Sequence, residues 1–113
     1  MDLYNGDLAW LESELEIARS DPSVRAVVVI THHAPLTAGT SAPCFAGSPG
    51  NACFASDLAR LMDPSVALWV YGHTHHSAVI QTDAGTVVAS NQKGYPREDP
   101  KDVGFHHKKV FVV

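Results

Sequence analysis

Five of the seven histidines in this 113-residue chain fall in two short stretches, and these are the side chains best able to do chemistry. His73, His75 and His76 follow the apolar run Leu68–Tyr71 and Gly72, while His32 and His33 follow the run Ala26–Ile30 and Thr31. Neutral imidazole binds zinc, iron, manganese and similar ions, so the chemistry at stake is metal binding. In an extended segment, side chains two apart point to the same side. His73 and His75 are therefore expected to face one ion or two neighbouring ions, with His76 pointing away. Only one of the adjacent His32 and His33 is expected to face the same site. Gly72 would allow a sharp backbone turn before the cluster, and Pro35 would hold Ala34 extended. Taken alone, the His73–His76 stretch reads equally well as a polar turn rich in histidine. His106 and His107, beside Lys108 and Lys109, read as the polar edge of a last strand.

What must position these residues is an α/β arrangement. Leu8, Leu11, Leu15 and Ala18 recur at helical spacing and predict an amphipathic helix over 7–20. Asn5 or Asp7 would cap its start, and Asp21-Pro22 would stop it. The β-branched run Ala26–Ile30 has no polar alternation and predicts a strand covered on both faces. A long irregular loop over 34–50 precedes a second predicted helix, 51–62, with Phe54, Leu58, Leu61 and Met62 on one face and Ser48 or Asn51 as cap. Asp63-Pro64-Ser65-Val66 then repeats Asp21-Pro22-Ser23-Val24, closing a helix and opening an apolar strand. Strand, crossover and strand imply a parallel pair with a right-handed connection. The carboxyl ends of parallel strands share one sheet edge, where open α/β sheets bind ligands. Topology thus brings the two histidine groups together. Segments 78–82 and 86–90 predict a hairpin around 83–85, followed by a polar loop over 91–104 and a last strand over 109–113. The expected fold is two helix–strand units followed by a β-meander.

Composition narrows the function classes. Hydrophobic content of 45% and charged content of 18% are those of a single ordinary globular domain. A net charge of −4, with Lys108-Lys109 as the basic pair, argues against nucleic acid as a partner. No apolar run is long enough to span a bilayer, and residues 1–7 lack the features of a signal peptide, so no membrane partner and a cytoplasmic location are expected. Cys44 and Cys53 are too few for a knuckle or a framework, and two free thiols are expected rather than a disulfide.

Gly72-His73-Thr74-His75 and Val29-Ile30-Thr31-His32-His33-Ala34-Pro35 resemble two successive motifs of the calcineurin-like metallophosphoesterase family, Gly-His-x-His and a strand ending in His-x-Pro. Ser90–Pro96 resembles a segment that follows them in some bacterial and fungal members. The resemblance spans nearly the whole chain and implies the carboxyl-terminal half of an α/β/β/α sandwich, residues 1–113 forming one partial domain. It implies two ions of the manganese, iron or zinc class that clamp a phosphate ester and activate water for in-line attack. On that alignment His33 and His73 ligate one ion and His75 the other, with His32 and His76 as possible additional ligands.

The family's amino-terminal motifs, Asp-x-His, Gly-Asp-x-x-Asp and Gly-Asn-His-Asp or -Glu, have no counterpart. Gly6-Asp7 is followed at the required spacing by Trp10, and Gly50-Asn51 by Ala52-Cys53. Without those carboxylates the chain is expected to hold at most one ion and to be inactive alone. Met1 falls just before the helix that leads to the His33 strand, so a fragment that pairs with itself or with a missing amino-terminal half is expected. The reading is a metal-dependent phosphoesterase acting on phosphate esters. The alternative is a non-catalytic metal-binding or interaction module.

Overall fold

The computed structural model describes residues 3–113, apart from the side chains of Asn51 and Ala52. Helix α1 covers Leu3–Ser20, strand β1 Val27–Ile30, β2 Val66–Val70, β3 Val79–Gln81 and β4 Val87–Ala89, and a short helix α2 covers Pro100–Val103. The result is a mixed α/β fold with one four-stranded mixed sheet in the order β1-β2-β4-β3. β1 and β2 are parallel, as strand–crossover–strand logic requires. β3 and β4 form the expected hairpin, with Gly85 at φ 92° in its turn. The hairpin does not simply meander outward. Its second strand returns to pair in parallel with β2, leaving β3 on the outside.

The core lies on one face of this sheet. Val29, Trp69, Val88 and Ile80 stand in one row across the four strands, and Leu15 of α1 joins the same apolar cluster. Leu11 and Leu8 add to it one and two turns earlier, at the predicted helical spacing. Burying a side chain such as Leu15 is worth about 1.5–3 kcal/mol. The carboxyl end of α1 is held by Arg19, whose guanidinium donates to the Leu61 carbonyl at 2.8 Å and pairs with Asp63 at 2.9 Å. Arg60 pairs with Glu12 further along the helix. Because α1 begins at Leu3, Asn5 and Asp7 lie inside its first turns and do not cap it.

Three other sequence expectations fail, each for a visible reason. Residues 51–62 do not form a helix. They form 3-10 turns at Pro49–Cys53 and Ala59–Leu61 around an extended bridge between Ala55 and Ala34. The backbone there finds its partners outside itself. Ala34 N–H donates to Phe54 O, Ser56 N–H to Ala34 O, and Leu58 N–H to Pro35 O. Ser48 serves the first of these turns, its Oγ accepting from Gly50 N–H at 3.3 Å, whereas a cap by Asn51 lies outside the described side chains. β1 is covered on one face only: it is an edge strand, and Val28 and Ile30 are 43% and 77% exposed on the face opposite Leu15. Residues 109–113 form no strand; Val110, Val112 and Val113 are exposed, and among the described residues no neighbouring strand receives them. Among the described residues no helix is long and apolar enough to cross a membrane.

Candidate metal centre

The parallel ladder of β1 and β2 continues past both strands and carries the histidines with it. Thr31 N–H donates to Val70 O at 3.0 Å, and Gly72 N–H donates to His32 O at 3.0 Å. The two histidine segments are thus joined backbone to backbone at the carboxyl edge of the sheet. There the imidazoles of His32, His33 and His73 converge, one nitrogen of each lying within 4.8 Å of the others. His32 Nε2 and His73 Nδ1 are 3.0 Å apart, and the rings of His33 and His73 are 4.6 Å apart between centroids.

Both adjacent histidines therefore face the site, not one of them. The alternation that would have separated them holds only for straight extended chain. Here Thr31 Oγ1 donates to His33 O at 2.7 Å and bends the segment just beyond β1. The same hydroxyl accepts from Trp69 Nε1 at 3.0 Å, which ties the bend to the core.

The second histidine segment is also not extended. His73 and His75 have φ of 68° and 52°, in the left-handed region that residues other than glycine seldom adopt. The turn expected at Gly72 has moved onto the histidines themselves. It is held from below by the buried side chain of Gln92. Gln92 Oε1 accepts from His75 N–H at 2.7 Å, and Nε2 donates to Thr74 Oγ1 at 2.8 Å and His76 O at 3.0 Å. As a result His73 and His75 part company. His73 joins His32 and His33, while His75 lies beside Glu98, with 2.7 Å between Nδ1 and Oε1. His76 points elsewhere, as expected: its Nδ1 lies 2.7 Å from Asp102 O, a carbonyl that can only accept.

Burial pushes the His73 imidazole below its usual pKa, and the neighbouring His33, His32 and His75 push it further the same way. The neutral ring, the form that ligates a metal, is favoured. His73 and His75 line an open cavity of about 780 Å³ whose walls include Phe54, Tyr95 and Glu98. His32 and His33 line a second, of about 470 Å³, against the start of α1. The centre thus sits between two clefts.

His106 and His107 stack on each other away from the cluster. Asn91 brackets His106, donating to its carbonyl and accepting from its N–H, both at 2.9 Å. Cys44 and Cys53 are free and exposed, as expected. The sequence motifs gave no sign of Gln92 or Glu98 as partners of the histidine loop. Both fall in or near the Ser90–Pro96 segment already marked by resemblance, which was the one available signal.

No family model matches the chain, and no solved structure does. An uncharacterized protein of Acanthamoeba polyphaga mimivirus is 34% identical over 82 residues, a match covering 67% of this chain. The chain spans 29% of that relative's length.

Proposed function

We propose that the chain is the carboxyl-terminal, metal-binding part of a metal-dependent phosphoesterase of the calcineurin-like type. The observation that carries this is the meeting of His33 and His73 at the carboxyl edge of a parallel strand pair. The donor set fits a transition-metal ion. Two nitrogens bound to tetrahedral zinc stand about 3.3 Å apart, and His32 and His73 already present theirs at 3.0 Å. The nitrogens lie within 4.8 Å of one another, so the widest pair needs to close by up to about 1.5 Å to suit bonds of about 2 Å. Side-chain rotation supplies that much at exposed histidines.

His33 and His73 would hold an ion, with His32 beside them and His75 at the neighbouring position. When bound, such an ion supplies Lewis-acid stabilisation of charge on a phosphate ester and makes a water nucleophile available at neutral pH. The protein's own part is to favour the neutral ring of His73, fix the directions of the imidazoles and leave a cleft open for the ester. The sheet face opposite the core, where Val28 and Ile30 are exposed, is the one a second sheet would cover in an α/β/β/α sandwich. That also supports the reading.

The three clustered ligands are all imidazoles, and this favours one second reading, a single ion held without turnover. Metal analysis combined with hydrolysis of a phosphomonoester and a phosphodiester separates the two. Manganese-dependent hydrolysis by the chain paired with an amino-terminal half that carries the absent motifs, abolished by His73→Ala, is the expected result. One retained ion with no hydrolysis by that pair sinks the enzyme reading and leaves the binding module.

A further inference from the structure

Glu98 is a carboxylate that no motif assigns, 23 residues from His75 along the chain and in contact with it through a 2.7 Å bond. Both side chains are largely sheltered, at 33% and 27% exposure, so water competes poorly for the pair. An ionised carboxylate only accepts hydrogen bonds, so the proton between them sits on His75 Nδ1 when the ring is neutral. That fixes the tautomer and leaves the Nε2 lone pair free. Nε2 has no hydrogen-bond partner among the described residues, and the ring forms part of the wall of the 780 Å³ cavity beside His73. Tyr95 meets the ring edge-on at 4.6 Å and limits its rotation.

The loop is built to make room for the carboxylate. Gly94, at φ 68°, lies so close that a Cβ there would stand 2.6 Å from Glu98 Oε2 and 3.0 Å from Val103 Cγ2. Val103 belongs to α2, which Asp99 caps by accepting from Lys101 N–H at 2.9 Å and Gly104 ends in a left-handed turn. Ser77 N–H donates to Val103 O at 2.7 Å and links α2 back to the histidine loop. His75 is thus gripped twice, at its backbone by Gln92 and at its ring by Glu98.

From this geometry we infer that Glu98 is a positioning residue of the metal centre, holding His75 with Nε2 presented to the cavity as a ligand. The inference rests on the metal-binding reading above and extends it to a residue outside the histidine motifs. A carboxylate behind a ligating histidine orients the ring and raises its basicity, and its loss weakens metal affinity by about 10–100-fold.

The test uses the full chain and zinc alone. Nitrogen-15 spectra of the metal-free protein should place the His75 proton on Nδ1; finding it on Nε2 overturns the inference without any variant. Glu98→Ala should move the proton off Nδ1 and weaken zinc binding about 10–100-fold, but should cost nothing further in a His75→Ala background. An equal loss in both backgrounds, or an unchanged tautomer in Glu98→Ala, overturns it. Failure of the hydrolytic reading shows up separately, as a wild-type chain that binds zinc and keeps the Glu98-dependent tautomer but hydrolyses neither ester when paired with that amino-terminal half.

Discussion

Gln92 holds the histidine loop through three residues at once, and replacing it isolates what that support is worth. In Gln92→Leu the shape is nearly kept, but His75 N–H loses its partner, while Thr74 Oγ1 and His76 O each lose one of theirs. A buried polar group left unsatisfied costs about 1–3 kcal/mol, so urea unfolding should show a loss of that order and zinc affinity should fall with it. Unchanged affinity in a destabilised but folded variant would mean that the left-handed histidines hold themselves. Gly94→Ala should be comparably harmful. Its left-handed φ alone costs about 1–2 kcal/mol in any other residue, and the added carbon displaces the Glu98 carboxylate. At this scale the sequence was only partly legible. His33 and His73 could be placed together because strand direction fixes where strand ends fall. Only one of His32 and His33 was expected to face the site, by an alternation that the Thr31–His33 bond breaks. Glu98 was out of reach because a loop without period separates it from His75.

The elements rest on a few joints, and α1 is the clearest. Leu15 is its fully buried residue, and Leu15→Ala should cost about 2–5 kcal/mol through lost burial and the cavity left behind. A chemical denaturation curve checks this, and a shift below 1 kcal/mol would mean that the helix is not seated as described. Asp63 joins α1 to β2. The Ser65 hydroxyl holds its carboxyl below the usual range, with Arg19 helping, against a smaller opposing effect of burial. The native state therefore binds a proton less readily than the unfolded chain. Its contribution is complete above the ordinary aspartate range and fades as pH falls through that range toward the lowered native value. Stability measured from neutral to acid pH should slope less in Asp63→Asn than in the wild type. The exposure of the pair keeps that difference modest. α1, β2 and the hairpin were readable because their apolar periods agree with their burial, and β1 because its run is β-branched, although one of its faces is exposed. The 51–62 segment was not, since Phe54, Leu58 and Leu61 mimic a helical stripe while the backbone bonds to Ala34 and Pro35.

At the scale of the whole molecule, the edge strand β1 is covered on one face and open on the other. β1 offers an unpaired edge flanked by exposed Val28 and Ile30. Edges of this kind recruit other strands, so light scattering of the purified chain should rise with concentration. Ile30→Lys should suppress that rise while leaving the fold intact; equal scattering in both would place the association elsewhere. The one-sided core could not be read in advance, because Ala26–Ile30 is as apolar as a strand buried on both sides. The backbone bond from Gly72 N–H to His32 O has a consequence of a different kind. It belongs to the sheet and to the candidate metal centre at the same time, so the solvent-exchange rate of a single amide proton reports on both. If the site and the strand edge open as one unit, that proton should exchange no faster than those of β2, and bound zinc should slow it further. A Gly72 amide that exchanges freely while β2 stays protected would show instead a centre that breathes on a scaffold already closed.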